Sequence, residues 1–249
     1  MSSHVVRRTS QRLLISLLTV EAIILLIYLG SIRATGTAYS SFDFNGQATV
    51  PSLLQALHFL AIALIILWIL VQRYFQWVSI GESNRSASRK LLNRCRKVPA
   101  QVPSLAFLIT FAVLVSYAAV DEVFKLHLQF HRLLAGQNWK WLYLSLFTVI
   151  MTWHCQSFIR LWQHARRETY LVLLGIAIFV LGGYGSEILK DVLLDAGSYQ
   201  SIEYAKFGGV PIENLRIAYE ELSELVGENL ILYACLQFIG KRLELGKVV

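Results

Sequence analysis

The sequence predicts an all-α polytopic membrane protein, a bundle of six transmembrane helices with both termini on the cytoplasmic side. Three observations carry this. Hydrophobic residues make up 55% of the chain and charged ones 16%, with mean hydropathy +0.52; a soluble domain carries about 25% charged residues. The apolar residues gather in long runs, each near the ~20 residues a helix needs to cross the hydrocarbon core. The polar loops alternate between basic and neutral or acidic along the chain. In hydrocarbon the backbone must be satisfied within each segment, so the runs read as helices. The two-residue alternation of a membrane barrel is absent.

Span one covers residues 13–32. It follows Arg7, Arg8 and Arg12 and precedes a loop with Arg33 and Asp43. A cleaved secretory signal is the competing reading of residues 1–35, given the basic start and the small residues at 34–38. The run is long for a signal, and Glu21 interrupts it near its middle. Span two, 52–77, ends among Arg73, Arg85, Arg89, Lys90, Arg94, Arg96 and Lys97. Span three, 103–120, starts at Pro103, where the missing N–H costs nothing, and leads into the mixed run "DEVFKLHLQFH". Span four, 141–161, has Trp139, Trp141 and Trp162 at its ends, as Trp77 ends span two; interfacial aromatics belong there. Arg160, Arg166 and Arg167 follow. Span five, 170–189, exits through the slightly acidic "GGYGSEILKD" into the longest connection, 190–217, which holds the turn signal "FGGVP". Span six, 218–240, precedes Lys241, Arg242 and Lys247. The positive-inside rule then sets the orientation, and residues 1–249 read as one integral membrane domain.

The net charge of +7 is accounted for by those loops. Nucleic acid is not an expected partner, since no basic stripe lies on a recognition fold. Cys95, Cys155 and Cys235 form no C-x-x-C pair, and an odd, scattered set argues against a disulfide framework; they are expected to be small buried hydrophobes. The expected surroundings are the lipid bilayer of a bacterial plasma membrane, although a thylakoid or organelle membrane would present the same charge pattern. A second membrane protein or a second copy of the chain is a candidate partner.

The orientation gathers ionisable residues at the non-cytoplasmic end. Span two enters there with His58. Span three leaves with Asp121, Glu122, Lys125, His127 and His131, span five with Glu187 and Lys190, and span six enters with Glu220, Glu221, Glu224 and Glu228. At 100° per residue Glu221, Glu224 and Glu228 form one stripe descending about 10 Å. Gly227 beside it lets another helix approach. Such a stripe must face protein, water or cations, because charge inside a bilayer costs about 2.5–3.5 kcal/mol at the centre. The candidate polar cavity is therefore His58, Asp121, Glu122, His127, Glu187, Glu221, Glu224 and Glu228.

His127 and His131, one turn apart, could join Glu224 and Glu228 as ligands of a divalent metal, zinc or iron. No E-x-x-H or H-E-x-x-H motif accompanies them. The alternatives are plainer: a solvated Asp121–Lys125 pair, Glu187 paired to Lys190, and Glu220 as a first-turn residue favoured by the helix dipole. Glu21 and His154 are further intramembrane polar groups, and the run "GGYG" at 182–185 reads as close helix packing. Three functions follow. The leading one is a metal-dependent membrane enzyme. The second is a proton- or cation-coupled transporter using the glutamate ladder. The third is an accessory or assembly subunit of a membrane complex, its polar cluster acting as inter-helix glue.

Overall fold

The structure, a computed structural model, describes residues 3–83, 103–126, 129, 139–195 and 205–245. Its helices are α1 (Ser3–Thr35), α2 (Val50–Ser83), α3 (Leu105–Phe124), α4 (Trp139–Trp153), α5 (Cys155–His164), α6 (Arg166–Phe179), α7 (Gly185–Asp195) and α8 (Ile212–Leu245). A π-helical turn, Val180–Tyr184, joins α6 to α7. A two-residue hairpin, β1 (Lys206–Phe207) and β2 (Val210–Pro211), precedes α8. Its turn falls on Gly208 and Gly209, both at positive φ, as a tight hairpin requires.

Five segments are long and apolar enough to cross a membrane: Val5–Thr35, Val50–Phe75, Leu105–Phe124, Arg166–Lys190 and Ile212–Arg242. Span four departs from the single run expected over 141–161. It is two helices meeting at 59°, with His154 at the break. The His154 ring is buried there, edge-on to Phe107 at 5.5 Å between centroids. The bend thus packs on an aromatic wall of α3, Phe107 and Phe111.

Contacts fix the direction of each span. Gly240 near the end of α8 lies against Val6 near the start of α1, and Asn214 Nδ2 donates to the Tyr28 hydroxyl at 3.2 Å. Helices α1 and α8 are therefore antiparallel. Gln55 and His58 of α2 meet Glu224 and Glu228, so α2 runs in the same sense as α8. Arg73 then donates to the Pro103 carbonyl at 2.7 Å, tying the far part of α2 to the start of α3. Tyr117 of α3 hydrogen-bonds Tyr143 of α4, while Phe107 packs edge-on against Phe158 of α5 at 5.2 Å. The bent pair covers the length of α3 in the opposite sense, so it makes one crossing. Lys241 of α8 donates to Glu168 at the start of α6 at 2.6 Å, and Arg216 near the start of α8 reaches Ser186 of α7 at 3.3 Å. Among the described residues this makes six alternating crossings, with the start of α1 and the end of α8 at the same end of the bundle.

That end carries Arg7, Arg8, Arg12, Arg73, Arg160, Arg166, Arg167, Lys241 and Arg242. The opposite, acidic end carries Asp43, Asp121, Glu122, Glu213, Glu220 and Glu221, with Arg33, Lys125, Lys190 and Arg216. Helix α8 is the central element and packs on α1, α2 and α6. Toward the acidic end it joins a cluster of Ile24, Tyr28, Ile32, Phe44, Ile217 and Leu225. Toward the basic end Leu232 joins Ile62, Ile66, Ile69, Phe107 and Leu108. Between them lies a fully buried polar layer of Glu21, His58, Glu228 and Asn229. The outside is apolar, with Leu26, Val113, Val149, Trp153 and Leu181 all more than 60% exposed. Lipid-facing helices have this inverted pattern.

Gly227 does what its position in the sequence suggests. A Cβ at Gly175 of α6 would lie 2.6 Å from the Gly227 carbonyl oxygen, and the converse distance is also 2.6 Å. The "GGYG" run likewise packs closely: Gly182 and Gly183 face Ser223 and Glu224 with no space for a Cβ. Two expectations change here. Helix α8 starts at Ile212, after the hairpin and Pro211, so its first-turn acid is Glu213. Glu220 sits two turns further in, held by Arg216. Cys155 is exposed rather than buried, Cys235 is half-buried, and Cys95 lies outside the described residues.

Candidate functional site

The three glutamates share one side of α8, and α2 supplies the facing groups. Gln55 and His58, three residues apart, come to the same face of α2. Gln55 Nε2 donates to Glu224 Oε2 at 3.2 Å, and His58 Nδ1 lies 3.2 Å from Glu228 Oε2. Both helices descend in the same sense, so the pairs stack as rungs. Glu228 is 0% and His58 3% exposed. Around the corner of α8, Asn229 Nδ2 donates to Glu21 Oε1 of α1. Of Glu21 this reproduces the inter-helix hydrogen bond considered for it from sequence. Several atoms of this layer are buried with no protein partner: Glu21 Oε2, Gln55 Oε1, His58 Nε2, Glu221 Oε2, Glu228 Oε1 and Asn229 Oδ1.

Beside the ladder lies a cavity of about 1050 Å³. It is walled by α2, α3, the α4–α5 pair, α6, the π turn and α8. Its acidic end holds Asp121, Glu122, Lys125, Tyr143, Tyr184, Glu220, Glu221 and Glu224. Phe44 of the 36–49 segment also lines the cavity, its ring 4.7 Å from Tyr28. Lys125 ends α3 in the left-handed region at φ 47°, a conformation that costs a non-glycine residue roughly 1–2 kcal/mol. The turn aims its ammonium back at Glu122 at 2.9 Å, with both residues buried. The solvated Asp121–Lys125 pair is thus not found; the run "DEVFK" closes into the bundle. Burial works against the Lys125 charge, but the carboxylates of Glu122, Glu221 and Glu224 outweigh it and raise the Lys125 pKa above its ordinary value.

Of the residues singled out from sequence, Asp121, Glu122, Glu221 and Glu224 line the cavity, while His58 and Glu228 pair in the helix interface behind it. His127 and His131 lie outside the described residues, as does the side chain of Glu187. Lys190 donates to Glu213 at 2.8 Å. His154 belongs to the bend described above. Sequence reasoning passed over Gln55, Asn229, Tyr184 and Arg216. The first two had a usable signal, being amides one helical turn from His58 and adjacent to Glu228. Arg216 had one as well, in the spacing E-x-x-R-x-x-x-E. It donates to Glu213 from Nε and Nη2, both at 2.9 Å, and also to Glu220 and Ser186. Arg216→Gln should therefore destabilise the acidic end by about 1.5–3 kcal/mol, the worth of charged hydrogen bonds. Thermal unfolding in detergent measures it, and an unchanged midpoint would mean the network is decorative.

Six alternating apolar crossings around a buried polar layer define the class: a multi-pass α-helical membrane protein. Within that class the chain belongs to the family described as Domain of unknown function (DUF8692), whose model matches residues 17–238. No curated protein and no solved structure matches the chain.

Proposed function

We propose that the chain is a proton- or cation-coupled transporter that loads from its acidic end, with that end facing away from the cytoplasm of a bacterium. One observation carries the reading, the His58–Glu228 pair. A contact between imidazole Nδ1 and a carboxylate oxygen requires one proton between them, held by either partner. The outer atoms of the pair, His58 Nε2 and Glu228 Oε1, are buried with no protein partner, so each can gain or release a further proton. Glu224 and Glu221 link the pair to the cavity at one-turn steps of roughly 5–6 Å between Cβ atoms. Side-chain swing or one bridging water spans such a step. Chains of acids within transmembrane segments are a device of pumps and transporters. The excess of arginine and lysine at the opposite end supports the orientation.

The metal-dependent enzyme reading rests on a ligand set of which His127 and His131 lie outside the described residues. Among the described residues no group of three or more His, Cys, Asp or Glu side chains could hold an ion. The test uses the purified protein in liposomes loaded with a pH-sensitive dye, with metal content measured on the same preparation. Wild type should dissipate an imposed proton or sodium gradient, and Glu228→Gln and His58→Gln should fall to the rate of protein-free vesicles. Wild-type vesicles as tight as empty ones overturn the proposal. Stoichiometric metal that is lost in the Glu224→Gln, Glu228→Gln double variant would restore the enzyme reading. Neither flux nor metal in a folded protein leaves an accessory role, with the acidic end docking a membrane partner or a second copy.

A further inference from the structure

We propose that the cavity beside the ladder binds an amphiphile with one long hydrocarbon tail and a protonated amine head, the head at the acidic end. Binding alone is required, so this goes beyond proton movement and does not depend on it.

The shape comes first. At about 1050 Å³ the space is at the upper limit of ordinary small-molecule sites, ~300–1,000 Å³. Its wall follows span five from Glu168 to Tyr184, a rise of about 24 Å at 1.5 Å per residue. That is most of the ~30 Å hydrocarbon thickness. Between those limits the wall is aliphatic and aromatic, with Val172, Ile176 and Phe179 on one side and Phe111 and Val115 on the other. A long, apolar slot suits a chain rather than a compact solute.

The charge pattern sets the head. At the basic end the wall holds a single carboxylate, Glu168; Lys241 neutralises it through Oε1 at 2.6 Å, and the Glu168 Oε2 is buried without a protein partner. At the acidic end five carboxylates, Asp121, Glu122, Glu220, Glu221 and Glu224, line the wall with one ammonium, Lys125. Glu122 takes that lysine and Glu220 takes Arg216. Glu224 accepts from Gln55, and Glu221, which also lies in the field of Lys125, keeps Oε2 buried without a protein partner; a buried acceptor left so costs about 1–3 kcal/mol. An alkylammonium supplies both the donor and the charge. A carboxylate or an uncompensated phosphate head would instead meet like charge, which selects against fatty acids and anionic phospholipids.

The test is photolabelling of the full-length protein in phosphatidylcholine vesicles. The probes are hexadecylamine and hexadecanoic acid, each carrying a diazirine in mid-chain. The amine should label the peptides bearing Val172 and Ile176, with about a tenfold preference over the acid, the ratio that differential binding at the head would set. Glu221→Gln should flatten that preference. Ile176→Trp fills the slot and should remove the label; Val172→Phe is the second variant should the first not fold. Label confined to lipid-facing positions such as Val113 and Leu181, or equal labelling by amine and acid in wild type, overturns the proposal whatever the variants do.

Discussion

His58→Leu lowers the unfolding free energy of the protein by about 3–5 kcal/mol, the cost of stranding one member of a buried ion or proton pair. Glu228 would then sit at 0% exposure with both carboxyl oxygens lacking a protein partner. The second substitution makes the prediction sharp. Adding Glu228→Leu removes the stranded group, and replacing a whole buried pair with apolar residues is often neutral or stabilising. The double variant should regain most of the loss, so the coupling between the positions is large and of one sign. Unfolding of the four proteins in one detergent gives the cycle. Additive losses at the two positions would mean that the 3.2 Å contact contributes nothing. Stability and proton flux then separate, because a folded double variant should still be silent in the vesicle assay.

Gly227→Val should abolish the folded bundle. A Cβ there meets the Gly175 carbonyl oxygen at 2.6 Å, Phe179 Cβ at 2.9 Å and the Phe179 amide at 3.0 Å. Two of these are backbone atoms in a helix and cannot rotate away. Overpacking of this kind costs about 1–3 kcal/mol where neighbours can yield, and here the yielding element would be α6 itself. Gly240→Ala makes the comparison. Its nearest obstacle is a Val6 methyl at 2.7 Å, a side-chain atom that can turn aside. Gly30→Ala has nothing within 4 Å and should be neutral or stabilising by about 0.5–1 kcal/mol, as alanine is in a helix. Size-exclusion profiles and unfolding midpoints rank the three. If Gly227→Val matches Gly30→Ala, α6 and α8 do not cross as closely as described.

The helices were legible because hydropathy over twenty residues integrates many small preferences, so one polar residue such as Glu21 does not erase the signal. The glutamate stripe was legible for a geometric reason: positions 221, 224 and 228 must share a side of any helix. What meets that helix was only half legible. His58 stands out by charge, but Gln55 carries none, and nothing local says that the neutral amides Gln55 and Asn229 engage Glu224 and Glu21. Partners 169 and 208 residues away are a matter of tertiary packing. The bend at His154 escaped for a related reason. Neither proline nor glycine marks it, and the rings that His154 packs against, Phe107 and Phe111, belong to another helix. The start of α8 was misread because Glu213 and Arg216 dilute the hydropathy of residues 212–217, although their ion pairs make that turn helical.

The central position of α8 also sets an order of events at the ribosome. Glu21 and His58 enter the bilayer with α1 and α2, yet Asn229 and Glu228 are polymerised 208 and 170 residues later. At about 5–20 residues per second, that leaves Glu21 without its mate for roughly 10–40 s. Through that interval the nascent chain must keep two polar groups out of bare lipid, either at the insertion machinery or against one another. The closing helix then acts as a keystone, and a chain stalled before it would present both groups to any membrane quality-control protease.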